Sequence, residues 1–201
     1  MHEYWKIAEL RGDQIQRQFF DVLSGGPIRE NLNKGIFSPT IEFMIATDLN
    51  PALKPVAFLL GTWRGEGEGQ YPSIKPFRYR EEIRFTHNGK AFLIYAQRTE
   101  AIDTGLPMHA EAGYLRLVGD GRVEFVVAQP IGFAEISLGR VDGLRIEVQC
   151  ATVARTPTAK PVTSISRSLW LDGETLRYEL KMGMEGAPLA RHLQASFHRL
   201  D

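Results

Sequence analysis

Histidine is the side chain of this sequence with the widest chemical use, and the chain contains five of them. His2 follows the first residue and His87 begins a predicted tight turn, so we expect both in solvent. No two histidines have the close spacing of a zinc site. His192 and His198 lie on one predicted strand, but they would be roughly 20 Å apart at ~3.3 Å per residue, which is too far to share a metal ion. A multi-histidine metal centre is therefore not predicted, and metal chemistry would depend on one imidazole.

The other reactive groups form no catalytic pattern. Cys150 is the only cysteine. It alternates with Leu144, Ile146 and Val148, which predicts a buried and inert thiol. The sequence contains no Ser-His-Asp arrangement, P-loop, dinucleotide-binding fingerprint or paired-carboxylate motif.

The charge pattern excludes several classes of partner. Lys plus Arg is 24 and Asp plus Glu is 24, so the formal net charge is zero. No basic cluster indicates nucleic acid, no apolar run reaches the roughly 18 residues of a membrane span, and no signal-peptide pattern opens the chain. We expect a cytoplasmic protein that binds neither nucleic acid nor a membrane.

The clearest element is the segment KPFRYREEIRF, which has the two-residue period of a half-buried strand. One face carries Phe77, Tyr79, Ile83 and Phe85, broken only by Glu81, and the other carries Arg78, Arg80, Glu82 and Arg84. Glu81 and Glu82 therefore point to opposite faces.

Glycine-containing turns separate short β segments from about residue 51 onward. They are HNGK (87–90), GDGR (119–122), VDGL (141–144) and LDGE (171–174). Repeated turns at strand spacing predict an antiparallel meander of about ten strands. A sheet of that size removes its edges by closing, so the predicted fold is an all-β up-and-down barrel with room for a ligand.

The first fifty residues have a different pattern of apolar residues from the rest of the chain. Apolar residues between Tyr4 and Leu23 recur at three-to-four spacing, and Gly25, Gly26 and Pro27 would end that helix. We expect residues 1–50 to be a helical and irregular extension and residues 51–201 to be the barrel domain. Two roles stay open for the extension, covering one end of the barrel or mediating dimerisation.

A glycine-rich motif opens the barrel. Gly61, Trp63, Gly65 and Gly67 form a G-x-W-x-G-x-G pattern in the predicted first strand, and Gly69 continues it. We expect Trp63 to plug one end of the barrel. Glycines on one strand face leave a groove for a backbone or a flat ligand, or else mark a corner where the strand bends sharply.

Four segments together resemble the nitrobindin family of small haem-binding barrels. They are GTWRGEGEGQYPSIKPFRYREEI, GLPMHAEAGYLRL, RTPTAKPVTSISRS and APLARHLQASFHRL, in the order of that family and within residues 51–201. The resemblance implies a barrel shaped like the fatty-acid-binding proteins that carries one haem b per chain.

The resemblance also implies the site residues. His192 would hold the haem iron, and Lys160 would lie near a haem propionate. Ser73 stands where the family usually has threonine, so it keeps the hydroxyl and loses the methyl group. Tyr71 and His109 match the family's Tyr-Pro and Pro-Met-His segments as further pocket residues.

One feature of the final strand conflicts with this assignment. Simple alternation groups His192 with Gln194, Ser196 and His198, whereas Leu193 lies on the opposite face. Either the barrel interior is partly polar there or the strand is irregular after Pro188. His198 remains the alternative ligand.

The activity that the resemblance implies is binding of nitric oxide and isomerisation of peroxynitrite to nitrate at a ferric haem, in a cage of residues such as Phe77, Phe125 and Met182. A second hypothesis is a non-enzymatic carrier of a small apolar ligand such as a fatty acid. A homodimer is a further expectation.

Overall fold

The computed structural model describes residues 48–71 and 74–200. The predicted N-terminal helix and Ser73 lie outside these residues. Ten antiparallel strands follow one 3₁₀ helix, Pro51–Leu59. The strands are β1 (Gly61–Tyr71), β2 (Ile74–Thr86), β3 (Phe92–Ala101), β4 (Pro107–Leu117), β5 (Arg122–Gln129), β6 (Phe133–Asp142), β7 (Arg145–Arg155), β8 (Val162–Asp172), β9 (Thr175–Met184) and β10 (Ala187–Arg199).

The sheet closes on itself. Each strand pairs with the next along the chain, and β1 pairs with β10 from Trp63 opposite Arg199 to Gly69 opposite Leu193. The predicted up-and-down barrel of about ten strands is confirmed. All four predicted turns connect the strands as expected, and Gly143 and Gly173 adopt positive φ angles of 54° and 62° that favour glycine.

The 3₁₀ helix packs into one end of the barrel. Asn50 begins it, since its side-chain oxygen accepts a hydrogen bond from the Ala52 backbone N–H at 3.0 Å. Leu53, Val56 and Leu59 are fully buried in the core cluster. Trp63 is 1% exposed, and its indole N–H donates to the Leu59 carbonyl at 2.8 Å. The predicted plug at this end therefore consists of Trp63 and the helix together.

The alternation in β2 is confirmed. Tyr79, Ile83 and Phe85 are buried inside, whereas Glu82 lies outside and pairs with Arg64 at 2.6 Å. Glu81 interrupts the apolar face as predicted and is only 2% exposed. A carboxyl group therefore lies inside the barrel.

The expectation for the strand that contains Cys150 is partly wrong. Ile146 and Val148 are buried, but Leu144 is exposed and Cys150 is only half-buried. An irregularity in the pairing of β6 with β7, at Ser137 opposite Cys150, ends the regular alternation here. Among the described residues, no helix is long and apolar enough to cross a membrane.

Candidate functional site

A cavity of about 600 Å³ opens at the barrel end opposite the 3₁₀ helix. Its lining comes from the last residues of odd-numbered strands and the first residues of even-numbered strands, which meet at one end of an up-and-down barrel. The apolar part of the lining includes Phe77, Phe133, Ile165, Leu180, Met182 and Leu193. The volume is typical of sites for organic ligands and cofactors.

His192 lines this cavity because β10 contains a bulge. Arg191 pairs with Lys181 and Leu193 pairs with Leu180, so His192 is an extra residue without a partner on β9. A bulge turns a side chain away from the face that simple alternation assigns to it. The sequence left open a polar interior or an irregular strand, and the strand is irregular.

A second irregularity in β1 fixes the imidazole. Its pairing with β2 shifts between Gly69 and Tyr71, and the carbonyl of the intervening Gln70 lies 3.0 Å from His192 Nδ1. A carbonyl oxygen only accepts, so the proton is on Nδ1 and Nε2 keeps its lone pair. Burial lowers the pKa of His192 and outweighs the Gln70 hydrogen bond, which raises it, and Lys160 lowers it further, so the neutral ring is favoured.

Aromatic rings hold the imidazole in place. The ring centroid of Tyr71 lies 5.5 Å from that of His192 in an edge-to-face arrangement, and that of Phe77 lies 6.5 Å away. Tyr71 is buried, and its hydroxyl has no hydrogen-bond partner among the described residues. A buried donor without a partner is unfavourable, so the hydroxyl is available to a polar group of a ligand.

The structure brings four of the five residues assigned from the family resemblance to one cavity. Lys160, in the β7–β8 connection, is exposed and lines the cavity with His192 and Tyr71. His109 also lines it, and its Nε2 lies 3.4 Å from Glu111 Oε1. The fifth residue, Ser73, lies outside the described residues.

The glycine motif is a site of close approach, not a groove for a ligand. A Cβ on Gly65 would lie 1.8 Å from the Ser196 carbonyl oxygen, so β1 and β10 pass too closely there for any side chain. A Cβ on Gly67 would lie 2.4 Å from the Tyr79 ring, and one on Gly69 would meet Phe77 in the same way. The glycines therefore seat two aromatic side chains that line the cavity.

Two further expectations are corrected. Phe125 belongs to the solid core below the cavity, where its ring packs 4.9 Å from that of Tyr95. His198 is exposed, opposite Arg64 in the pairing of β1 with β10, and does not line the cavity. His192 is therefore the imidazole of β10 that a ligand in the cavity can reach.

The deepest part of the cavity is polar, which the sequence reasoning missed. We call this part the polar floor: Tyr79, Gln97, Glu111 and Tyr178 line it, and Glu81, Glu135 and Arg167 lie beneath them. Each of these charged residues occupies an inward position of its strand, as Arg167 does between Ile165 and Leu169. The sequence pattern predicts an ionisable residue in an inward position only at Glu81.

Arg167 binds the carboxylates of the polar floor together. Its guanidinium donates two hydrogen bonds to Glu111, at 2.8 and 3.0 Å, and two to Glu135. Burial raises the pKa of Glu111, but Arg167 and His109 outweigh it and lower that pKa to about 2. Burial raises the pKa of Glu135, and Arg167 offsets part of that effect.

The arrangement fits a flat, largely apolar cofactor with acidic groups at its edge. The apolar walls would enclose a ring, and His192 Nε2 would bind a metal at its centre. The Nδ1 hydrogen bond orients the ring and raises its basicity, as is usual for metal-binding histidines. Lys160 at the opening supplies a cation for carboxylates.

The chain matches the family model described as "THAP4-like, heme-binding beta-barrel domain" over residues 52–199. The chain belongs to this haem-binding family. The resemblance to the nitrobindin family inferred from the sequence is thereby confirmed, and haem is the cofactor of the family.

Curated relatives from mycobacteria are similar over nearly their whole length. "Peroxynitrite isomerase 2" of Mycobacterium marinum is 51% identical over 156 residues, which is 76% of this chain and 97% of the relative. "Peroxynitrite isomerase 1" of Mycobacterium tuberculosis strain H37Rv is 47% identical over 159 residues, again 76% of this chain and 97% of the relative.

A crystal structure shares the fold. Rv2717c from M. tuberculosis is 46% identical to this chain and superposes with a TM-score of 0.72. The alignment covers 77% of this chain and 100% of that structure.

Proposed function

We propose that this protein binds one haem b per chain through His192 and isomerises peroxynitrite to nitrate. The observation that carries the proposal is the His192 Nδ1–Gln70 hydrogen bond, which presents a neutral imidazole in a cavity with apolar walls and a suitable volume. The haem-binding family and the mycobacterial relatives named peroxynitrite isomerase support the same function.

The side chains of the cavity would have different roles in binding the cofactor. His192 would hold the haem iron, and Lys160 would neutralise a propionate at the opening. Tyr71, with its unpartnered hydroxyl, and His109 would make further polar contacts with the bound cofactor. Ser73 would contact it too, by the family resemblance. The apolar walls, including Phe77 and Met182, would exclude water from the reacting ligand.

When bound, ferric haem would supply a Lewis-acidic iron for the isomerisation of peroxynitrite to nitrate. The chain supplies only one imidazole from β10, since His198 lies outside the cavity. His192 would therefore hold the haem iron, and nitric oxide is a further ligand that we propose for the bound haem.

Hemin titration of the apoprotein tests the site. The wild type is expected to develop a Soret band at one equivalent of hemin, and His192→Ala is expected to lose it. His198→Ala is the matched control, because it removes an exposed imidazole six residues further along the same strand. The assignment is wrong if His192→Ala binds hemin as tightly as the control. Peroxynitrite decay, followed by stopped-flow absorbance with nitrate as product, tests the activity of the loaded protein.

A carrier of small apolar ligands is the second candidate function. The aliphatic and aromatic cavity lining, with residues such as Ile165, Leu180 and Met184, favours it. A carrier would bind a fluorescent fatty acid and release it when an unlabelled fatty acid competes. Its affinity for the fluorescent fatty acid would be the same in His192→Ala as in the wild type. The haem proposal instead predicts that hemin displaces the probe from the wild type but not from His192→Ala.

We also propose that the chain forms a homodimer. Tyr114 of β4 and Ile136 and Leu138 of β6 are 51%, 45% and 50% exposed on the outer face of the sheet. These two strands flank β5, whose Val126 lies between Tyr114 and Ile136 in the pairing. Apolar groups that cluster on an exposed face are typical of an interface. Light scattering is expected to give a dimer mass for the wild type and a monomer mass for Ile136→Lys. A wild-type monomer would exclude the dimer.

We further propose that residues 1–50 form a separate extension and that the protein is cytoplasmic, where the free thiol of Cys150 stays reduced. Deleting residues 1–45 is expected to leave hemin binding unchanged. Cell fractionation with an antibody tests the location, and recovery in a membrane or extracellular fraction would contradict it.

A further inference from the structure

Three buried polar atoms in and beneath the polar floor have no hydrogen-bond partner among the described residues. They are the hydroxyl of Tyr79, Oε2 of Glu81 and Oε1 of Gln97. The three residues are 1%, 2% and 7% exposed, respectively. Tyr79 and Gln97 line the cavity, and Glu81 Oε1 accepts a hydrogen bond from Gln97 Nε2 at 2.9 Å. Buried polar atoms normally have partners, so this group marks a place that can bind one.

Glu81 receives no donor from the buried cation beside it. Arginine has five N–H hydrogens, and Arg167 uses all of them. Nε donates to Glu135, Nη1 to Glu111 and Tyr178, and Nη2 to Glu111 and Glu135. Glu81 is therefore the one carboxyl of the polar floor without an arginine partner.

The ionisable groups that surround Glu81 come from several strands. Those that act on it or feel its charge are Tyr79 of β2, Tyr95 of β3, Glu111 of β4, Arg167 of β8 and Tyr178 of β9. From β1, Gly65 lies opposite Glu81 and contributes no charge. With Glu111 and Glu135 sharing one arginine, a third ionised carboxylate would add an uncompensated negative charge to the core, which is unfavourable.

We propose that Glu81 remains protonated at neutral pH and thereby makes Tyr79 a hydrogen-bond donor to a small acceptor ligand, such as an anion, in the cavity. The Tyr79 hydroxyl and Glu81 Oε2 have no partner among the described residues and become partners of each other in the proposed arrangement. A protonated Glu81 would donate to the phenol oxygen, which would leave the phenol hydrogen to point at the ligand. An ionised Glu81 accepts that hydrogen instead, and Tyr79 then offers the ligand only lone pairs. Glu81 is thus a positioning residue that acts through Tyr79.

Three observations support the protonation of Glu81 and its proximity to the Tyr79 phenol. Burial raises the pKa of Glu81 to about 8, against the opposing effect of the Gln97 amide. Burial raises the pKa of Tyr79, and Glu81 lies close enough to the phenol to raise it further. The gap left by Gly67 holds the hydroxyl end of the Tyr79 ring, because a Cβ there would lie 2.6 Å from the phenol oxygen. The glycine motif thus positions the proposed donor.

The first test of the inference rests on the proposed haem function. It measures azide binding to the ferric hemin-loaded protein from about pH 6 to about pH 10, a range that includes the Glu81 pKa. Ionisation of Glu81 is expected to weaken wild-type azide binding roughly tenfold, the value of one such hydrogen bond. Glu81→Gln keeps a neutral donor and is expected to lose this pH-linked fall. Tyr79→Phe is expected to bind azide roughly tenfold more weakly at the acid end and to lack the fall as well.

Glu82→Gln is the matched control, because it neutralises the next residue of the same strand on the outer face. It is expected to follow the wild-type pH profile, and pH effects on the haem itself are common to all variants. A wild-type profile in Glu81→Gln, or unweakened azide binding in Tyr79→Phe, would overturn the proposal.

A second measurement does not depend on haem. Carbon-13 NMR of the glutamate carboxyl groups in the apoprotein is expected to show one resonance that titrates near pH 8 and disappears in Glu81→Gln but not in Glu82→Gln. A Glu81 resonance that titrates in the normal acidic range overturns the inference, whereas failure of hemin to bind with this titration intact rejects only the haem function.

Discussion

Replacing Arg167 by methionine removes the only fully buried cation among the described residues and leaves the hydrophobic volume nearly unchanged. Glu111 and Glu135 would then share the core without a counter-charge, and Tyr178 would lose the donor that reaches its hydroxyl at 3.0 Å. Breaking a buried ion pair from one side typically costs about 3–5 kcal/mol of folding free energy. We therefore expect Arg167→Met to lower the free energy of unfolding at neutral pH by about that amount.

The loss should depend on pH, with a sign that follows from Glu111. Its pKa is lowered from 4.5 to about 2, so ionised Glu111 stabilises the folded wild type above pH 4.5, and this stability is lost as the pH falls toward 2. The shift corresponds to about 3 kcal/mol at ~1.4 kcal/mol per pKa unit. Without Arg167, burial favours the protonated carboxyl, so the variant lacks this acid-dependent loss.

Urea unfolding at neutral pH and at about pH 3, followed by tryptophan fluorescence, measures both effects. The difference in stability between the wild type and Arg167→Met is expected to shrink as the pH falls. Adding Glu111→Gln and Glu135→Gln to Arg167→Met is expected to recover much of the neutral-pH loss, since no buried charge then remains at this place. A difference that is equal at both pH values would refute the electrostatic reasoning and assign the loss to packing.

Three further predictions concern stability, and each is checked by chemical unfolding. Gly65→Ala is expected to destabilise the barrel by about 3 kcal/mol or more, because its Cβ would lie 1.8 Å from the Ser196 carbonyl oxygen; unchanged stability would contradict the close approach of β1 and β10. Trp63→Phe is expected to cost about 1–3 kcal/mol, because the Leu59 carbonyl loses its indole donor, and a neutral effect would show that this bond contributes nothing. Because the pKa of Glu81 is raised from 4.5 to about 8, its carboxyl ionises in the unfolded chain but stays protonated in the folded one as the pH rises between these values, so the stability declines progressively over this range. Glu81→Gln is expected to remove that decline, by at most about 5 kcal/mol at alkaline pH, and an unchanged alkaline decline would contradict the raised pKa.

The sequence determined the barrel because the patterns that specify its strands and turns are local. Period-two alternation, as in Tyr79 and Ile83 of β2, sets which side chains face inward, and glycine turns set where each strand ends. The family segments assigned His192 and Lys160 to one site, and both line the same cavity, since residues at the ends of successive strands meet at one end of the barrel. Glu81 was identified as an inward carboxyl by the same alternation.

Tertiary structure alone decided how these residues are arranged. The bulge that turns His192 into the cavity is a mismatch between β10 and β9, and the sequence of β10 alone gives the opposite face. The protonation of Glu81 depends on Arg167, whose partners Glu111 and Glu135 are 56 and 32 residues distant in the chain. Register shifts and charge compensation are properties of strand pairs and of side chains brought together by folding, so no local pattern of residues specifies them.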